Sequence, residues 1–269
     1  MKVQEKKEKE EQPTVPEEED DLWWYRQLYQ DVEFEDDVRG GTLDKEMMIK
    51  ARRAEMQFFK KLGVYKKVKK ESHMRVITTK WVDTNKGDEK DPNYRARLVG
   101  RELALSKRTD LFAATPPLES LRMLLSIVAG RQSQKHQKDK CILMTNDVKR
   151  AYFYALATRP IYIKIPEEDR EPGDEENVGM LRLSLYGTRD AAMNWAKTYT
   201  DHLKGLGFIV GSSNPCNFYH PQRDVACTVH GDDYTSAGRE EDLKWLERNL
   251  KAKYEIKTEY LGPGEEHKR

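Results

Sequence analysis

The chain has 269 residues with 37% hydrophobic content, enough for a large domain with its own core and too many for a fold stapled by disulfides or zinc. A mean hydropathy of -0.90 and a longest apolar run of only Met123 to Ala129, interrupted by Ser126, exclude a membrane-spanning helix, which needs roughly 20 apolar residues. The formal net charge of +1 conceals a division, because residues 1–37 carry 5 basic and 14 acidic side chains whereas residues 44–108 carry 19 basic and 9 acidic. Three cysteines, Cys141, Cys216 and Cys227, are too few and too odd for a disulfide framework and point to a reducing, intracellular compartment.

In chain order, residues 1–37 read as an acidic, largely disordered segment. Met1 to Asp21 is dominated by Lys and Glu, has no apolar centre and so is not a signal peptide. Leu22, Trp23, Trp24, Tyr25, Leu28 and Tyr29 form an aromatic cluster suited to a short helix, packed on the domain's own surface or docking a partner. Met47, Ala51, Ala54, Phe58 and Leu62 recur at helical spacing and Gly63 ends the element. From Met74 the period changes to two, and with turn residues between Asn85 and Asn93 the stretch to Arg101 reads as a long basic hairpin carrying Arg95, Arg97 and Arg101. Such a hairpin can grip phosphates, or be an edge whose charge prevents aggregation.

Leu118 to Gly130 reads as a helix with Leu121, Leu124, Leu125 and Val128 buried, followed by a polar loop from Gln132 to Lys140. The apolar run from Cys141 ends in Asp147, a strand-end carboxylate placed either to meet a ligand or to cap the next element. Val225 to His230 and Tyr234 to Ala237 alternate like a hairpin around Gly231, Asp232 and Asp233. In extended backbone the two aspartates would face opposite ways, while at a tight turn both can approach one cation. Carboxylate oxygens suit Mg²⁺, which keeps water and phosphate in its other positions, and two such ions suit in-line phosphoryl displacement. Cys216, His220, Cys227 and His230 suggest zinc only loosely, since Cys227 and His230 fall on opposite faces of one strand; no zinc site is expected.

Taken in order, Lys80-Trp81-Val82, Tyr94 to Val99, Phe112 to Pro116, Asn146 to Tyr152, Ser184 to Gly187, Trp195 and Gly231 to Asp233 resemble the reverse transcriptase of copia-type retrotransposons, over about Met47 to Gly262. The resemblance implies an α+β right-hand polymerase, with fingers-like residues 38–130 and a palm-like region 131–262 whose antiparallel sheet is backed by helices. It implies an RNA-directed DNA polymerase, a nucleotidyltransferase using an RNA template, a DNA primer and deoxynucleoside triphosphates with Mg²⁺ or Mn²⁺, and no membrane. By that resemblance Asp147 and Asp232 match the metal-bridging aspartates and Asp233 the third carboxylate. Lys80, Arg95 and Arg97 match nucleotide-contacting positions, Tyr152 an aromatic steric gate, and Tyr186 and Gly187 the loop near the templating base. The turn departs from the family in having His230 and Gly231 where Tyr and a small apolar residue are usual, and Arg189 keeps a positive charge where relatives have Lys. The chain stops after a tail of residues 263–269, so the thumb is expected to be missing and processivity low. The competing expectations are an inactive remnant of a longer Pol polyprotein that binds RNA, and a generic metal nuclease. Expected locations are the cytoplasm, in a virus-like particle, or the nucleus.

Overall fold

The computed structural model describes residues 19–88, 90–103, 111–132 and 140–262. Helix α1 (Glu19–Leu28) is followed by the short strands β1 (Phe34–Glu35) and β2 (Thr42–Leu43), then α2 (Lys45–Leu62), β3 (Tyr65–Lys69) and β4 (Val76–Ile77). Next come β5 (Thr79–Asn85), β6 (Tyr94–Gly100), α3 (Leu118–Gln132), β7 (Cys141–Val148), β8 (Tyr162–Ile163) and β9 (Asn177–Leu181). The remainder comprises α4 (Ala191–Gly205), β10 (Ile209–Val210), β11 (Asn217–His220), β12 (Val225–His230), β13 (Asp233–Arg239), α5 (Glu240–Lys251) and β14 (Ile256–Leu261). Two compact units interleave along the chain. The first takes the described residues up to Phe58 with Trp81–Arg97 and Pro166–Arg170, and the second takes Phe59–Lys80, Leu98–Ile165 and the described residues from Glu171 onward.

Helix begins at Glu19, inside the segment whose charge suggests disorder; residues 1–18 and the tail 263–269 lie outside the described residues. The reason is its aromatic content. Tyr25, Tyr29 and Phe34 are buried, while Trp23 and Trp24 face outward at 63% and 45% exposure, so the cluster divides between core and surface. The Arg52 guanidinium lies over the rings of Tyr29, Phe34 and Trp81 at 4.9, 4.7 and 5.1 Å and pairs with the buried carboxylate of Asp83. The Asp36 carboxylate accepts the backbone N–H groups of Val38, Arg39 and Asn85, and these, Arg39 first, hold its pKa down to about 2.

Helix α2 has the expected bounds and stops at Gly63, whose φ of 61° ends a helix without a side-chain clash. Its buried stripe is Met48, Ile49, Met56 and Phe59, one residue round from the expected face, and Met47 and Leu62 are exposed. Both stripes keep helical spacing, and the one with the larger side chains is the one that packs. The basic hairpin is also shorter than expected: β5 pairs with β6, whereas Val76 and Ile77 leave it to pair in parallel with Tyr162 and Ile163 of β8. That pairing places β4 in a four-stranded sheet of order β3-β9-β8-β4.

In the second unit a six-stranded sheet runs in the order β10-β11-β12-β13-β7-β14, with every neighbouring pair antiparallel. Successive residues of β7 alternate between its faces. Ile142, Met144 and Val148 join a core with Trp195, Tyr199 and Leu203 of α4 and Leu243, Leu246 and Leu250 of α5. Cys141 and Leu143 point the other way and pack with Leu124 and Val128 of α3. Leu121 and Leu125, expected in that stripe, are 38% and 48% exposed, because α3 meets the sheet along a narrower line than its apolar surface offers. The architecture is α+β, an antiparallel sheet backed by helices.

One half-buried base makes this unit sensitive to acid. His202 of α4 lies edge-on to Tyr254 at 5.2 Å, its Nδ1 buried and, among the described residues, without a hydrogen-bond partner. Burial, then the Lys253 cation, lowers its pKa from 6.5 to about 4. Between those values the unfolded chain binds a proton that the folded chain refuses, so stability is full above about 6.5 and falls toward pH 4. Denaturant titrations should show a loss on the order of 1–2 kcal/mol across that window, after screening at a half-buried ring is allowed for, and His202→Phe should flatten the curve.

Candidate active site

Strands β12 and β13 are joined by only Gly231 and Asp232. Gly231 has a φ of 63° and Asp232 does not share the positive sign, the pattern of a type II′ turn, whose right-handed twist suits a tight hairpin. Two contacts fix this turn on the sheet and helix beneath it. The backbone N–H of Val148 donates to the Asp232 carbonyl at 3.0 Å, and the indole Nε1 of buried Trp195 donates to the Gly231 carbonyl at 2.7 Å. Trp195→Phe keeps most of the ring and removes the donor; it should cost about 1–2 kcal/mol in thermal unfolding, the net bond plus a carbonyl left short of a partner.

The register then brings the carboxylates together. Asp233 is the cross-strand partner of Asp147, and Asp232 lies one residue before it in the turn. Directly opposed residues of an antiparallel pair hold their Cβ atoms about 4.5–5.5 Å apart on one face. His230 opposes Asp233 and Lys257 opposes Asp147, so one row across four strands reads His230, Asp233, Asp147, Lys257. The next row inward is Thr228, Thr235, Thr145 and Glu259. Burial, then the neighbouring Asp232 and Asp147 carboxylates, raises the Asp233 carboxyl above its ordinary range, and His230 opposes that rise. The second carboxylate signal and the strand-end Asp therefore converge although 85 residues separate Asp147 from Asp232.

This arrangement fits a hard divalent cation. The charges of Asp147 and Asp232 act on Asp233 with too little cation beside them to cancel the effect, and the donors are carboxylate oxygens on an exposed edge with room for water and phosphate. Among the described residues no three Asp, Glu, His or Cys side chains close into a ready-made metal cage, so further oxygen ligands would come from solvent and substrate. Beside Asp233 opens a cavity of about 500 Å³, lined by Thr145, Thr228, Thr235 and His230 and walled by Pro116, Pro117, Leu118 and Leu121.

Tyr152 sits in a short 3₁₀ turn, Ala151–Tyr154, that starts where Arg150 adopts a left-handed φ of 53°. Burial and then the Asp232 carboxylate raise the pKa of its hydroxyl, so it lies within electrostatic reach of the turn. Its ring stacks on Tyr186 with centroids 4.4 Å apart. The Tyr186 carbonyl accepts the Gly100 N–H at 2.7 Å, and Gly187 follows with a φ of 81°. Asp147, Asp232, Asp233, Tyr152, Tyr186 and Gly187 thus all lie in the second unit. Lys80, also in that unit, is exposed on β5, and Arg95 and Arg97 stand on the exposed face of β6 within the first unit.

The four residues weighed for zinc have other surroundings. Cys216 donates its thiol to the Ala114 carbonyl, His220 contacts the Leu206 carbonyl at 3.0 Å and packs edge-on against Phe208, and Cys227 and His230 occupy opposite faces of β12. The roles of Trp195 as anchor of the turn and of Lys257 beside Asp147 had no signal in the sequence, since both depend on which strands become neighbours.

A family model described as reverse transcriptase (RNA-dependent DNA polymerase) matches residues 62–267. The chain is 27% identical over 232 residues to a retrovirus-related Pol polyprotein from transposon TNT 1-94 of Nicotiana tabacum, covering 83% of this chain and 17% of that one. It is 25% identical over 180 residues to a retrovirus-related Pol polyprotein from transposon RE1 of Arabidopsis thaliana, covering 64% of this chain and 12% of that one. The chain therefore spans less than a fifth of the length of these curated relatives. An apo telomerase from Candida tropicalis, truncated from its C-terminal domain, overlays with a TM-score of 0.44 at 9% identity, over 87% of this chain and 59% of that one, a likeness too loose to argue from. The resemblance carried by the motifs is borne out by the family model and by both transposon relatives: the chain belongs to the reverse transcriptase (RNA-dependent DNA polymerase) family.

Proposed function

We propose that this chain carries out RNA-directed DNA synthesis, with residues 131–262 as palm and residues 38–130 as fingers. One observation carries the reading: Asp233 and Asp147 oppose each other in register with Asp232 at the adjoining turn. Two Mg²⁺ or Mn²⁺ ions held by Asp147, Asp232 and Asp233, when bound, would supply the charge that activates a primer hydroxyl and steadies the leaving pyrophosphate. The protein's share is positional. The carboxylates define where the triphosphate meets the primer end, Lys80, Arg95 and Arg97 offset its negative charge, Tyr152 excludes a ribose 2′-hydroxyl, and Tyr186 with Gly187 borders the templating base. Gly231, without a side chain, would leave room at the turn for the primer end.

Primer extension on an RNA template with a DNA primer, deoxynucleoside triphosphates and Mg²⁺ tests this. Template-directed products are expected, lost on chelation and restored by Mg²⁺ or Mn²⁺. The second reading, a remnant that binds RNA without chemistry, draws on the exposed positions of Lys80, Arg95 and Arg97. Tight binding of the duplex with no product at saturating metal and nucleotide would decide for it. Cleavage of the template without any extension would point to a metal nuclease.

A further inference from the structure

We propose that Tyr186 is a specificity-determining positioning residue, the backstop that holds the Tyr152 ring where it bars a ribose 2′-hydroxyl. This rests on the reading of Tyr152 as the sugar gate. A bulky ring excludes a hydroxyl only if it cannot step aside, and a tyrosine can swing between staggered side-chain rotamers when nothing packs behind it. Tyr152 needs such support, because its 3₁₀ turn spans only four residues and, among the described residues, its hydroxyl has no hydrogen bond. What stands behind the ring is Tyr186, stacked at 4.4 Å with the planes 30° apart.

Tyr186 is itself immobilised. Phe153 meets the Tyr186 ring edge-on at 5.7 Å, and Phe59 in turn meets Phe153 edge-on at 5.0 Å, so four aromatic rings form one continuous chain. Its backbone is held by the Gly100 N–H, and the next carbonyl, that of Gly187, accepts the Glu102 N–H at 3.4 Å. The Glu102 carboxylate accepts the Arg189 N–H at 2.8 Å and the Arg159 guanidinium at 2.6 Å. Arg159 also grips buried Asp190 through two bonds of 3.1 Å, at the start of α4. An acid–base–acid clamp therefore fixes the loop that presents Tyr186, and stiffness passes from clamp to loop to backstop to gate.

The test compares equilibrium binding of dGTP and GTP to the complex of the full chain with an RNA template and a dideoxy-terminated primer, so no chemistry is needed. Wild type, Tyr186→Leu, Tyr186→Phe and Tyr152→Ala are read side by side. Tyr186→Leu should lower the preference for the deoxynucleotide about 3- to 10-fold, the range expected for losing one aromatic stack. Tyr186→Phe, which keeps the ring, should stay within about twofold of wild type. Should the leucine variant unfold, Tyr186→Met supplies an unstacked side chain for the same comparison. A wild-type preference in the leucine or methionine variant, while Tyr152→Ala loses it, overturns the backstop and leaves the gate standing. A preference unchanged in Tyr152→Ala, or absent from wild type, overturns the gate and this inference with it.

Discussion

On the proposed reading, replacing Asp232 by Asn should lower primer extension by roughly 10³-fold or more, and Asp147→Asn should do the same, because each would remove a carboxylate charge facing the ions that would offset phosphate charge in the transition state. The same substitutions should not harm the fold. Asp233 is pushed above its ordinary pKa by burial and by the Asp232 and Asp147 carboxylates. A carboxyl whose folded pKa exceeds its unfolded one contributes stability only when protonated, and that contribution is lost as pH rises through the folded value. Once ionised, the group therefore opposes folding in the absence of a cation. Asp233→Asn should unfold at an equal or higher temperature than wild type in chelator, and should lose the rise in melting temperature that Mg²⁺ is expected to give wild type on the proposed reading. A variant that is both inactive and destabilised in chelator would show that the carboxylates serve the fold instead.

The second large effect is expected at Gly187. A Cβ built there would lie 2.1 Å from the Gly100 carbonyl oxygen, and the residue's φ of 81° is strained for any L side chain. Neither the sheet-end backbone of Gly100, tied to Tyr186 at 2.7 Å, nor the loop can retreat without breaking that bond. Gly187→Ala should cost at least about 3 kcal/mol, from backbone strain plus overpacking. For a domain of this size that corresponds to a fall of very roughly 6–12 °C in melting temperature. If the variant melts within about 2 °C of wild type, the close approach of the two glycines is not a constraint in solution.

These two sites differ in how far they could be read in advance. The acidic residues announced themselves because each sits at a local signal: Asp147 closes an apolar run, and Gly231 with Asp232 punctuates an alternating one. Their meeting is a matter of register between β7 and β13, which no local pattern encodes. The helices were legible for the same reason, since the spacing over Lys45–Leu62 marks an element whatever surrounds it. Which stripe of α2 turned inward was not, because two stripes satisfy the same periodicity and only the neighbouring elements choose between them. Strand β3, with the sequence YKKVK, had no apolar alternation to reveal it and owes its place to pairing with Asn177–Leu181. The aromatic stack of Tyr152 on Tyr186 was hidden for a further reason, joining residues on two irregular segments where periodicity carries no information.

Strand β14 gives the row of charges a temporal property. It enters the ladder beside β7, pairing Lys257 with Asp147 from 110 positions away in the chain. Until Ile256–Leu261 has left the ribosome, the flank of β7 that will carry β14 has no partner and presents bare amide and carbonyl groups. Synthesis must therefore pass residue 261 before Lys257 can flank the acidic centre, and nascent chains halted short of residue 256 should be captured by chaperones and prone to sticking edge to edge.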